Sequence, residues 1–185
     1  MQPFISNSPH RLAAALVLGA ALLSPGCKRD QKVQVQPTIE EEDTPRLASA
    51  VPMNVPKLAP QLVSGFYPIE NNSWRWTGKQ FSVLLRPPTA AAQRGAVLSL
   101  EFSVPDPVIQ TLHAVTLKAS VEGTALPPET YTKSGAYTFK REIPASAISG
   151  ESVRIDFALD KAMPPAGAER RELGVVAVSV SLGPK

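Results

Sequence analysis

From residue 81 onward, apolar and polar residues alternate with a period of two, and proline or glycine interrupts the pattern about every ten residues. This alternation constrains the chain more than any other feature. In Ala96–Val104, Leu98, Leu100, Phe102 and Val104 oppose Val97, Ser99, Glu101 and Ser103. Ala114–Glu122 repeats the pattern, with Val115, Leu117, Ala119 and Val121 on one face and Thr116, Lys118, Ser120 and Glu122 on the other. Phe81–Leu85 ends at Arg86-Pro87-Pro88, and Thr124–Leu126 after Gly123 makes a hairpin return. Ala136–Ile143, Val153–Leu159 and Gly174–Leu182 follow. Strands with one wet face belong to antiparallel sheets. The pattern predicts an all-β chain: a single antiparallel β-sandwich of immunoglobulin-like or jelly-roll type over 61–185. Helical turns at Ala90–Arg94 and Pro144–Ile148 read as connectors.

The segment before this domain is of a different kind. Met1–Arg11 is polar, and Leu12–Leu23 is an unbroken run of Leu, Ala, Val and one Gly. A twelve-residue helix covers roughly 18 Å, short of the ~30 Å hydrocarbon core, so the run reads as a removable export signal over 1–26. It ends at Gly26-Cys27, and Cys27 is the only cysteine of the chain. The arrangement resembles a bacterial lipoprotein signal, in which this cysteine becomes the lipidated first residue of the mature protein. Gly26 fits that pattern. Ser24 stands where Leu is usual, with Leu23 one place early, and Pro25 replaces a small residue. An ordinary secretory signal is the competing reading, and it leaves an odd free thiol in an oxidising space. The resemblance implies acyl chains of palmitate type on Cys27, with membrane lipid as partner and effectively permanent attachment. Lys28 in the next position implies outer-membrane rather than inner-membrane sorting in the cell envelope.

Residues 27–60 carry Gln31, Gln34 and Gln36, the acidic run Glu40–Asp43, and Pro45, Pro52, Pro56 and Pro60. No helical or strand period persists there, so the segment is expected to be a disordered tether. As a coil, such a tether reaches roughly 30 Å. Four adjacent carboxylates lack the spacing of a calcium loop and read as solvated charge.

Chemistry is sparse in the domain. His113 is the only histidine beyond the signal, and no Gly-x-Ser-x-Gly elbow accompanies it. With one histidine and an anchored cysteine, a zinc site and other cofactors are not expected. No glycine-rich phosphate loop occurs, and a net charge of about +2 over 61–185 gives nucleic-acid binding no support. Asp156 with Asp160 and Glu169 with Glu172 are carboxylate pairs in polar settings, without the apolar surroundings that raise an acid's pKa.

Two clusters stand out. Gly65–Glu70 precedes Trp74-Arg75-Trp76-Thr77-Gly78, which holds both tryptophans of the chain. At i and i+2 of a strand they point to one face, with Arg75 and Thr77 on the other. Outward, such a pair stacks on sugar rings; inward, it is core. The second cluster is Glu169-Arg170-Arg171-Glu172-Leu173-Gly174. Arg171 there reads either as a ligand contact or as a clamp on a carboxylate such as Glu70. Together these motifs resemble the β-sandwich modules that accompany bacterial glycosyltransferases. The resemblance implies a non-catalytic accessory domain in contact with glycans, although no transferase domain is present in this chain. Tyr67, Trp74, Arg75, Trp76 and Arg171 are therefore the candidate ligand-binding residues. Carbohydrate binding is the leading expectation, and a protein-interaction or assembly module of the envelope is the alternative.

Overall fold

The computed structural model describes residues 46–185. The export signal expected over 1–26, Cys27 and the first part of the tether lie outside the described residues. Nine strands build the domain: β1 (Ala50–Pro52), β2 (Leu62–Phe66), β3 (Arg75–Leu85), β4 (Ala96–Val104), β5 (Val115–Val121), β6 (Thr124–Tyr131), β7 (Gly135–Ile143), β8 (Val153–Leu159) and β9 (Val176–Pro184). All pairings are antiparallel. One layer runs β2-β3-β8-β5-β6 and the other β9-β4-β7, with β1 on the free side of β9. β3 belongs to both: Arg75 and Trp76 pair with Ala177 and Val176 of β9, whereas Gln80–Leu85 pair with Ala158–Val153 of β8. The domain is the expected antiparallel β-sandwich.

The alternation seen in the sequence fills its core. Leu98, Leu100, Phe102 and Val104 of β4 are buried against Val115, Leu117 and Val121 of β5 and Val153, Ile155 and Phe157 of β8. Phe81 stacks on Phe157 at 4.9 Å between ring centroids and meets Phe66 edge-on at 5.3 Å. Each such side chain, once buried, contributes about 1.5–3 kcal/mol, so these paired faces hold a domain that has no disulfide.

Four departures from the simple pattern matter. The tether expected to run to residue 60 ends earlier. Ala50–Pro52 pairs with β9, Val51 and Met53 are fully buried, and a 3₁₀ turn over Pro56–Gln61 leads into β2. The buried Gln61 amide secures this entry: it accepts the Ala48 N–H (2.8 Å) and donates to the Ala48 and Leu84 carbonyls (3.1 and 2.7 Å). Prolines spaced through a segment argue against a regular period, but not against one short edge strand.

The hairpin return continues to Tyr131 and carries Pro127-Pro128, tolerated because β6 is an edge. Arg141 of β7 bridges the seam that this edge leaves, donating to the Pro127 and Pro128 carbonyls (2.7 and 3.2 Å) and to Glu129 Oε2 (2.8 Å). In β9, strict alternation would bury Val178. A bulge opposite Glu101/Phe102 turns it outward instead, to 41 % exposure. Finally, Asp106–Leu112 forms a short helix, α1, that the strand reading passed over.

Candidate functional site

All five residues singled out from the sequence meet at one corner, where β3 leaves the β9 layer. Asn71 and Asn72, both at positive φ (48° and 52°), turn the chain between Glu70 and Trp74, a conformation asparagine tolerates. Trp74 and Trp76 do share a face, with rings perpendicular (86°) and centroids 6.3 Å apart. Neither is fully buried, and Trp76 packs on the core. They form an edge-to-face pair and not a flat platform.

The polar members of the corner hold protein partners. Arg75 Nε donates to the Met53 carbonyl (3.1 Å) and its Nη1 to the Tyr67 carbonyl (2.9 Å), and burial lowers its pKa from the ordinary value. The Tyr67 hydroxyl donates to the Glu172 carbonyl (2.9 Å). Arg171 grips Glu169 through Nε and Nη2 (2.9 and 2.8 Å) and Glu70 through Nη1 (2.7 Å), with its guanidinium 5.1 Å from the Tyr67 ring centre. Hydrogen bonds from the Arg171 side chain and backbone hold the Glu169 carboxyl at about 2, and those same carboxylates raise the Arg171 pKa. The clamp of Arg171 on Glu70 is thus present.

Beneath the clamp two backbones nearly touch. The Gly174 N–H donates to the Thr77 carbonyl at 2.7 Å, and a β-carbon on Gly174 would lie 2.6 Å from the Gly78 oxygen. The chemistry this corner performs is internal: it locks the crossover of β3.

A second feature lies on the outer face of the five-stranded layer. Register brings Ser64 of β2, Ser82 of β3, Asp156 of β8, Ser120 of β5 and Ala125 of β6 into one row. In the adjacent row Gln80, Ala158 and Lys118 are neighbours. Short side chains along the middle leave a groove of about 380 Å³ between longer ones. Its polar groups form a chain. Ser64 and Ser82 share a hydrogen bond (2.8 Å), Arg154 Nη2 donates to Ser82 Oγ (3.3 Å), and Arg154 Nε donates to Asp156 Oδ1 (2.9 Å). Lys118 and Gln80 have no side-chain partner among the described residues, and both are exposed.

The catalytic readings gain little from this geometry. His113 sits exposed where α1 ends, at φ 64°, two residues before β5. Asp156 is ion-paired, Asp160 Oδ1 accepts the Thr116 N–H (2.6 Å), and Glu172 Oε1 accepts the Lys79 N–H (3.0 Å). A general acid needs a raised pKa, whereas Glu169 is pushed the other way. Among the described residues no group of three or more His, Cys, Asp or Glu is placed to hold a metal.

Reading the sequence found the corner and missed the groove. The alternation puts Asp156 and Lys118 on wet faces, but serine and alanine there look like ordinary solvent-facing positions. Only the pairing register lines up Ser64, Ser82, Ser120, Ala125 and Ala158. A run of small residues on the wet faces of several strands is the signal that was available.

No protein-family model matches this chain, and no curated protein matches it. Solved structures similar to it include the CBM36-1 domain of a multidomain xylanase from the hindgut metagenome of Trinervitermes trinervoides. Its TM-score is 0.36 at 11% identity, over 66% of this chain and 87% of that one. TmCBM27, described as a carbohydrate-binding module of specific mannan recognition, gives a TM-score of 0.44 at 12% identity, over 75% and 97% of the two chains. A CBM4 structure gives 0.35 at 14% identity, over 63% and 74%. The likeness is one of β-sandwich architecture alone.

Proposed function

We propose that this protein is an exported envelope lipoprotein, anchored through Cys27, whose sandwich is a non-catalytic module that binds carbohydrate in the groove over β2, β3, β8, β5 and β6. The groove is the observation that carries the reading. At about 380 Å³ it is within the range of small-ligand sites. Hydroxyls of Ser64 and Ser120, the Gln80 amide and the Asp156 carboxylate offer donors and acceptors at close spacing. That mixture suits a ligand dense in hydroxyl groups, each both donor and acceptor.

A protein-assembly role has less support. β1 is three residues long, β2 is bulged twice, β6 carries two prolines, and β7, the longest edge, is bridged to β6 through Arg141, so the edges suit strand addition poorly. Among the described residues the exposed large apolar side chains are Val63 and Val178, too few for a docking patch. Anchoring rests on the sequence, on the apolar run that ends at Gly26-Cys27.

The test is capture of the full chain on a glycan array, with Ser120→Trp to fill the groove and Trp76→Ala as a control at the corner. Binding should be lost with Ser120→Trp and kept with Trp76→Ala. An empty array, or a Ser120→Trp variant that binds as well as the parent, would end the proposal. For the anchor, Cys27→Ala should abolish lipid labelling and release the protein from membranes; retention there would contradict lipidation.

A further inference from the structure

We infer that the groove selects acidic sugars, with Lys118 as the residue that reads their carboxylate; this rests on the carbohydrate-binding reading above. Three charged side chains line the groove: Lys118, Arg154 and Asp156. Two of them neutralise each other, since Arg154 Nε lies 2.9 Å from Asp156 Oδ1 and its Nη2 is directed to Ser82. The nearby Glu122 accepts the Arg154 backbone N–H (2.6 Å). Glu122 keeps its charge but does not line the groove, and Lys118 has no ion-pair partner among the described residues, so the lining itself carries one unpaired positive charge.

The surroundings of Lys118 favour its use on a ligand. Its cross-strand neighbour is Ala158, and Ser120 follows on the same face of β5. Both are short, so the flexible lysine stem can bring its ammonium over the groove floor without displacing a side chain. A neutral sugar leaves that ammonium facing water. A carboxylate on the sugar ring gives it a counter-ion, while the serine row and Gln80 still engage the hydroxyls. Arg154 cannot take over this role without giving up Asp156. The charge therefore adds selectivity to a hydroxyl-binding surface, and the gain should fall as salt screens it.

Isothermal titration of the full chain with polygalacturonate, alginate and hyaluronate, against methyl-esterified polygalacturonate, mannan and xylan, tests the inference. Dextran sulfate serves as an anion without carboxylate. The acidic polymers should include one bound about two- to fivefold more tightly than its uncharged counterpart, a difference typical of one exposed charge pair. Lys118→Met should remove that difference, bringing acidic and neutral binding to one level, and added salt should narrow it in the parent chain. Equal or tighter binding of the neutral polymers, an unchanged ratio in Lys118→Met, or equally tight binding of dextran sulfate would overturn the selectivity while leaving the groove as a sugar site. Failure of every polymer to bind would instead overturn the carbohydrate reading itself.

Discussion

Two stretches at the start and middle of β3, three residues apart at their nearest ends and so roughly 10 Å along the strand, have opposite characters. At Trp74–Thr77 the chain is rich in groups that usually mark a binding site: two tryptophans, an arginine, and a second arginine brought in as Arg171. The structure engages both arginines internally, through Met53, Tyr67, Glu70 and Glu169, and packs Trp76 on the core. At Gln80–Ser82 the chain offers a glutamine and a serine, and the open groove lies there. The difference follows from what each side chain can satisfy. A guanidinium with five donors closes several backbone and carboxylate acceptors at once, so it is the natural lock where two layers cross. Short hydroxyl side chains cannot reach across a layer, and they leave space that a ligand can fill.

If the corner is a lock and the groove a site, substitutions in the two should separate stability from binding. The largest expected effect is Gly174→Ala. Its β-carbon would meet the Gly78 oxygen and Leu159 Cδ1, both at 2.6 Å, and the denaturation midpoint should report a loss of about 3 kcal/mol. A loss under a third of that would mean the crossing is not tight. Arg171→Ala comes next. It frees Glu70 and Glu169, and because the cluster is partly exposed the cost should be about 1 kcal/mol, with sugar binding unchanged. Loss of binding without loss of stability would reverse the assignment of the corner.

The same clamp has a pH signature. The Glu169 carboxyl is held at about 2, below its ordinary 4.5, so the stability it adds is complete above 4.5 and disappears as the pH falls through about 2. A carbon-detected NMR titration of Glu169 with a midpoint near 4.5 would show that Arg171 does not hold it. Smallest of all should be the stability change in Ser120→Trp, within about 0.5 kcal/mol because the groove is open to solvent. A large destabilisation there would make its binding defect uninformative.

The fold was legible for a definite reason. The alternations at Leu98–Val104, Val115–Val121 and Val153–Leu159 each commit one face to burial, and the structure buries those faces. Edges were less legible. Ala50–Pro52 and Leu62–Phe66 are short or bulged and gain their order from a neighbour, so neither carries a period of its own. Val178 shows the same limit inside a strong strand, where one bulge inverts a residue that alternation would bury. At the corner, the sequence brought the right residues to notice and left two roles open for Arg171.

By itself, then, the sequence determined which faces of the regular strands are buried, because apolar period is a local property wherever no bulge interrupts it. The apolar run that ends at Gly26-Cys27 is contiguous in the same way, and the proposed anchor rests on it alone. Only the tertiary structure decided which polar residues are occupied and which are free. That depends on register across five strands and on the crossing of β3 between layers, and both are contacts between residues far apart in the chain. Arg171 and Glu70 are separated by 101 positions, and Ser64 and Ser82 by 18. No local pattern encodes such a pairing, and it is the pairing that turns one cluster into a lock and leaves the other open to a ligand.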